Sequence, residues 1–167
     1  MSINFQFVAE YSRWDVKNLE KIAGRISEAI NTQLQLPRNS SAVVLLCNDA
    51  KIHQLNMDFR GNDTATNILS WPSEDLKVAT AGQRPKLAVN PELGDIAMAF
   101  EVCFSEARAG HVKLSDHLAH LLLHGTLHLL GYDHIEHADA IIMEAIEIDI
   151  LAKLCISNPY TINDEIQ

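Results

Sequence analysis

Ile3, Phe5 and Phe7 alternate with Asn4 and Gln6, the two-residue period of a strand with one face buried. A different spacing follows, with Val16, Leu19, Ile22, Ala23, Ile26 and Ile30 recurring every three or four positions, so the chain passes from strand to helix over residues 15–34. Ser41 to Cys47 is short and rich in valine and leucine, as interior strands are, and Asn48 or Asp49 can cap a helix running to Phe59. Thr66 to Trp71 and Asp95 to Phe100 read as further strands. Between them Pro72, Gly82, Pro85 and Pro91 interrupt any period, which predicts about twenty residues of loop, a length expected of a cover or arm beside a binding cleft. Helical spacing resumes from Leu114 to Leu130, stops at Gly131 and returns from Glu136 to Leu154. No repeat or low-complexity segment divides the chain, so a single domain over residues 1–167 is expected.

Composition supports that pattern. At 167 residues one domain can bury roughly 70% of its unfolded surface. With 47% hydrophobic and 21% charged residues, and no apolar run near the ~20 residues that a bilayer needs, disorder and membrane spans are excluded. Met1 to Gln6 lacks the basic and apolar regions of a secretory signal, so the expected compartment is the cytoplasm. Cys47, Cys103 and Cys155 are odd in number and form no C-x-x-C pair, so they read as small core hydrophobes.

The net charge of −9 argues against indiscriminate nucleic-acid binding, but it is unevenly spread. Residues 1–90 hold 10 basic against 9 acidic side chains, and residues 91–167 hold 3 against 13. A polyanion would therefore be met by the first half. There Arg13, Lys17, Lys21 and Arg25 recur every four residues as a helical basic ridge, read first as a solvated face.

Seven of the eight histidines lie between His111 and His137. On a helix His124 and His128 fall about 40° apart and one turn, ~6 Å, along one face, so both imidazoles can reach one ion. Gly131 lets the chain leave the helix in a conformation that a Cβ disfavours, and the turn Gly131-Tyr132-Asp133 can return His134 to the same point. Three imidazoles with a fourth position left to water is the ligand set of catalytic zinc, whereas closed structural sites use four protein ligands. His117 and His120 read as neighbours or outer partners of this set, and His111, His137 and His53 as surface residues.

The spacing H-x3-H-x5-H also occurs in metzincin peptidases, which place a glutamate general base directly after the first histidine. That position here is Gly125, so peptide hydrolysis loses its usual proton acceptor.

The block His124-Gly125-Thr126-Leu127-His128-Leu129-Leu130-Gly131-Tyr132-Asp133-His134 resembles the signature of the YbeY family, bacterial metal-dependent endoribonucleases that mature ribosomal RNA. Leu55-Asn56 and Arg60 with Thr66-Asn67-Ile68-Leu69-Ser70-Trp71-Pro72 resemble a second family block, Leu93-Gly94-Asp95-Ile96 a third, and Met143 and Glu147 suit the last helix. Asn67, Ile68 and Trp71 stand where many members have aspartate, valine and phenylalanine, so position 67 carries an amide here instead of an acid.

The resemblance implies an α+β domain, a small mixed sheet packed with helices, with the metal at the end of a cleft. It also implies that Arg60 faces the cleft as a catalytic residue, a role suited to a planar, permanently charged fork that can grip two phosphate oxygens. His124, His128 and His134 would hold one divalent ion, with zinc expected. The implied activity is cleavage of single-stranded RNA in small-subunit ribosomal RNA 3′-end maturation and ribosome quality control. Ribosomal RNA and a ribosome or ribosomal protein are the implied partners, the latter supplying the specificity that an acidic enzyme lacks. Asp95, Asp133 and Glu147 are the carboxylates to examine as proton acceptor, and Ser70 is a candidate substrate contact. The alternatives are a non-catalytic ribosome-assembly factor with a structural metal and, less favoured, a metallopeptidase-like hydrolase.

Overall fold

The computed structural model describes residues 2–161; Met1 and residues 162–167 of the expected domain lie outside the described residues. The elements run β1 (Asn4–Ala9), α1 (Val16–Gln33), β2 (Ser41–Cys47), α2 (Asp49–Arg60), β3 (Ile68–Pro72), β4 (Glu92–Ala99), α3 (Phe100–Ala109), α4 (Leu114–Leu129) and α5 (His137–Lys153). The strands form one mixed sheet in the order β1-β2-β4-β3. β1, β2 and β4 are parallel, and β3 runs antiparallel to β4 with Ser70 opposite Ile96. The expected α+β architecture is thus present, and Pro72 sits on an edge strand, where a missing N–H costs least.

Strand alternation sorts side chains to two faces. Ala42, Val44, Leu46, Ile96 and Met98 enter the main core, which they share with Ile26 and Ile30 of α1, Leu122 and Leu127 of α4 and Ile150 of α5. Cys47, Leu69, Ala97 and Ala99 meet Ile52 of α2 on the other face. α4 is buried along most of its length, so its remaining polar positions are presented in one direction. Among the described residues no helix is long and apolar enough to cross a membrane.

Three expectations need correction. Phe100 begins a helix instead of ending a strand, and α3 is an element that the sequence pattern above does not include. The residue at its N-cap, Ala99, offers no capping side chain. Asp49 of α2 supplies the missing acceptor, its Oδ1 taking the Val102 N–H at 3.1 Å, while Glu101 Oε2 takes the Asp49 N–H at 2.8 Å. Each helix caps the other across the fold, and no local signal marks such an arrangement. Cys155 is exposed, unlike buried Cys47 and Cys103. Its φ of 60° places it at the left-handed turn that ends α5, outside the core.

The long loop after β3 carries no helix or strand, as expected, yet it is pinned. Glu74 Oε2 accepts from the Val89 and Asn90 N–H groups, the Gly82 N–H donates to Asp139 Oδ1 at 2.8 Å, and Leu76 is buried against Gly131.

Candidate metal centre

Local geometry brings His124, His128 and His134 together. The first two lie one turn apart on the cleft side of α4, with ring centroids 4.5 Å apart. At the end of α4 the Tyr132 N–H bonds to the Leu127 carbonyl and the Gly131 N–H to the His128 carbonyl, both at 3.0 Å, with Gly131 at φ 91°. That is a left-handed helix cap. It turns His134 back until its ring centroid is 5.1 Å from each partner. Gly131 meets a second demand, because a Cβ there would sit 2.8 Å from the Leu76 carbonyl oxygen of the loop.

The hydrogen bonds define which nitrogens are available. His124 Nδ1 donates to Glu147 Oε1 at 2.7 Å, and His128 Nδ1 donates to the Tyr132 carbonyl at 2.9 Å. A carboxylate and a carbonyl can only accept, so each Nδ1 carries the proton and each Nε2 bears a lone pair. Those two lone pairs face one another at an Nε2–Nε2 distance of 3.0 Å. They repel unless a cation lies between them, and tetrahedral zinc with ~2.0 Å bonds would hold such nitrogens ~3.3 Å apart. The ligand atoms of His124, His128 and His134 all lie within 4.8 Å of one another, so the donor set fits a divalent cation.

Burial, reinforced by His124 and His134, lowers the His128 pKa to about 4, which keeps its ring neutral and ready to coordinate. Glu147 is 0% exposed. Burial alone would raise its pKa, but bonds from His120, His124 and Tyr160 outweigh that and hold it near 2. It is therefore an anion orienting His124 from behind, with His120 Nε2 on its other oxygen at 2.9 Å. His120 is the outer partner the sequence suggested.

The remaining site residues separate. Arg60, at the end of α2, is exposed and lines the same cleft of about 1030 Å³ as the three histidines. Its Nη2 donates to the Ser70 carbonyl, and the Ser70 hydroxyl donates to the Gly125 carbonyl at 3.2 Å. Buried Asn56 shapes the loop after α2 by donating to the Thr64 carbonyl. Asp133 lines the cleft and accepts the His134 N–H. Asp95 is exposed and is not among the cleft-lining residues. Asn67 donates to both oxygens of Glu106, which also receives His117 Nε2 at 2.7 Å. Sequence reasoning missed Glu106 along with α3, although Phe100, Cys103, Phe104 and Ala107 do have helical spacing.

Gly125 points at β3. A Cβ there would lie 2.7 Å from Ile68 Cδ1 and 3.1 Å from the Ser70 hydroxyl. The position of the peptidase glutamate is thus filled by the sheet.

The basic ridge does not join the cleft. Arg13 lies over the Phe100 ring at 4.6 Å, and Arg25 donates to the Leu154 carbonyl. Among the described residues the cleft is lined by Arg60 and Lys77 on the basic side and by Glu74, Asp75 and Asp133 on the acidic side.

The chain is similar to known proteins over nearly its whole length. A family model described as Endoribonuclease YbeY matches residues 4–155. A protein of Ruegeria sp. (strain TM1040) named Endoribonuclease YbeY is 45% identical over 163 residues, covering 94% of this chain and 96% of its own. One of Jannaschia sp. (strain CCS1) with the same name is 47% identical over 149 residues, 88% of this chain and 93% of its own. The solution structure of TM1509 from Thermotoga maritima is similar with a TM-score of 0.58 over 90% of this chain and 91% of that one. At 20% identity it speaks for the fold alone.

Proposed function

The chain belongs to the YbeY endoribonuclease family, and on that footing we propose that it is a metal-dependent endoribonuclease that cuts unpaired RNA laid in the cleft between Arg60 and the histidine trio. The observation that carries this reading is the pair of acceptor nitrogens on His124 and His128 converging at 3.0 Å, on a cleft they share with Arg60.

His124, His128 and His134 hold a divalent ion, with zinc the expected one, which supplies Lewis-acid chemistry at the scissile phosphate. Glu147 and the Tyr132 carbonyl fix the ring tautomers that make this possible. Arg60 keeps one nitrogen on the Ser70 carbonyl and offers the rest of its fork to phosphoryl oxygens, stabilising charge as it develops there. Of the three carboxylates considered as proton acceptor, Asp133 borders the cleft, Glu147 is committed to His124, and Asp95 stands elsewhere.

The substrate is ribosomal RNA in the cytoplasm, at the 3′ end of the small-subunit RNA and in defective ribosomes. The cleft is poor in positive charge, so counterion release contributes little and naked RNA is held weakly. A ribosomal partner then supplies selectivity. Peptide hydrolysis is disfavoured by the packing of Gly125 against Ile68 and Ser70.

The test is RNA cleavage by Arg60→Ala and His128→Ala with metal content measured in parallel. His128→Ala is expected to lose metal and cleavage together, and Arg60→Ala to lose cleavage while keeping metal. Unchanged cleavage in both would overturn the proposal.

A further inference from the structure

After α5 the chain doubles back on itself. The Ile156 N–H bonds to the Leu151 carbonyl and the Cys155 N–H to the Ala152 carbonyl, with Cys155 in the left-handed region, so the backbone reverses at the helix end. Asn158 then organises a tight turn, its Oδ1 accepting the Tyr160 N–H at 2.9 Å and its carbonyl accepting the Thr161 hydroxyl. This turn returns Tyr160 to the level of Glu147, about two helical turns before the reversal.

There the Tyr160 hydroxyl donates to Glu147 Oε2 and lies 3.3 Å from His120 Nε2. Its ring meets the His120 ring edge-on at 5.7 Å. Glu147 thus has three donors around one buried carboxylate: His124 on Oε1, His120 and Tyr160 on Oε2. Tyr160 is 39% exposed and borders the cleft, so its ring stands between Glu147 and solvent. It also lies outside residues 4–155, the stretch that the family model matches.

We propose that Tyr160 is a positioning residue of the metal centre, whose hydroxyl locks Glu147 so that the carboxylate keeps its bond to His124 Nδ1 and holds Nε2 toward the ion. This rests on the reading of His124, His128 and His134 as ligands. A buried carboxylate is held in place by the hydrogen bonds it accepts. With the hydroxyl removed, Oε2 depends on His120 alone, the carboxylate is freer to turn, and His124 is freer with it.

The test compares the full chain with Tyr160→Phe and Tyr160→Ala. Zinc affinity is measured by competition with a chromophoric chelator, the Co²⁺ form by its visible absorption, the metal-free protein by its melting temperature, and cleavage of single-stranded RNA by KM. Substituting a directly bonded outer partner of a ligand typically weakens metal binding ~10–100-fold, and Tyr160 acts one bond further out, so about 3- to 10-fold weaker zinc binding is expected of Tyr160→Phe. The Co²⁺ spectrum is expected to shift with KM unchanged, and the metal-free melting temperature to fall by about 2–6 °C, the loss of one hydrogen bond to a buried carboxylate. Zinc affinity within twofold of wild type in Tyr160→Phe overturns the role given to the hydroxyl, whatever Tyr160→Ala shows. So does a raised KM at unchanged zinc affinity, which would make Tyr160 an RNA contact. Failure of the wild-type chain itself to bind zinc or cobalt overturns the metal reading, and this inference with it.

Discussion

The Arg60 guanidinium donates from Nη2 to the carbonyl of Ser70 at 2.7 Å. Ser70 in turn donates its hydroxyl to the Gly125 carbonyl, so hydrogen bonds run from the arginine through β3 to the helix that carries His124. A lysine at position 60 could hold the carbonyl or a phosphate oxygen, but it lacks a fork to do both. Arg60→Lys is expected to lower kcat/KM about 100-fold, the scale of one lost transition-state donor. Zinc content and melting temperature should stay near wild type, because the side chain is exposed. Cleavage kinetics beside metal analysis check this, and near-normal cleavage by the lysine variant would remove Arg60 from the chemistry.

Gly125 and Gly131 should respond differently to alanine. At Gly125 the obstructing atom closest to the added Cβ is the end of the Ile68 side chain, and a helix interior gains up to ~1 kcal/mol from the change, so the net effect is expected to be small. At Gly131 the obstruction is Leu76 backbone and φ is 91°, so neither neighbour nor backbone yields cheaply. Gly131→Ala should cost about 2–4 kcal/mol in urea unfolding and weaken zinc binding, by analogy with other strained or overpacked sites. Equal losses at the two positions would contradict this account of the turn.

The metal-free protein should lose stability on mild acidification. The His128 pKa is about 4 in the fold against 6.5 for the free side chain, with the His124 and His134 rings and the Asp133 carboxylate as its ionisable neighbours. A group depressed on folding stabilises above its unfolded pKa, so this contribution is complete above pH 6.5 and lost as pH falls toward 4. The loss is on the order of 3 kcal/mol. Glu147 acts in the same direction lower down, between the ordinary carboxyl value of 4.5 and about 2. Urea titrations of chelator-treated protein from pH 7.5 to 4 measure the slope, and His128→Asn should flatten it.

Chelation should abolish cleavage and leave the fold intact. The three histidines line the cleft, whereas α4 is anchored by Leu122, Leu123 and Leu127 in a core that needs no ion. Far-ultraviolet circular dichroism is expected to be unchanged by chelator, and restored zinc to raise the melting temperature by mass action. Collapse of the fold on chelation would favour the structural-metal alternative.

Cys155→Gly should stabilise the protein by about 0.5–1 kcal/mol, since a residue with a Cβ occupies the left-handed cap position that glycine fills with less strain. Thermal unfolding of the reduced protein checks the sign.

Most helices and the order of strands and helices could be read from hydrophobic spacing, because periods of two and about 3.6 are properties of the backbone itself. The histidine trio was legible for a related reason. His124, His128 and His134 occupy eleven consecutive residues, within which helix pitch and one left-handed glycine leave little freedom. α3 has helical spacing at Phe100, Cys103, Phe104 and Ala107, but its start carries no local sign, because its first turn is capped by Asp49, some fifty positions away in the chain.

Glu106, Tyr160 and the anchoring of Arg60 on Ser70 were equally hidden. Glu147 was legible as one of three candidate carboxylates and as a match to the family's last helix, but not as the partner of His124. Its hold on His124 depends on where α5 packs against α4, and that of Tyr160 on a reversal past the helix end. Short-range geometry brings the three histidines together because neighbours in the chain share one backbone path. Which nitrogen each ring presents, and which charge steadies it, follows from the packing of distant segments, which no local spacing encodes.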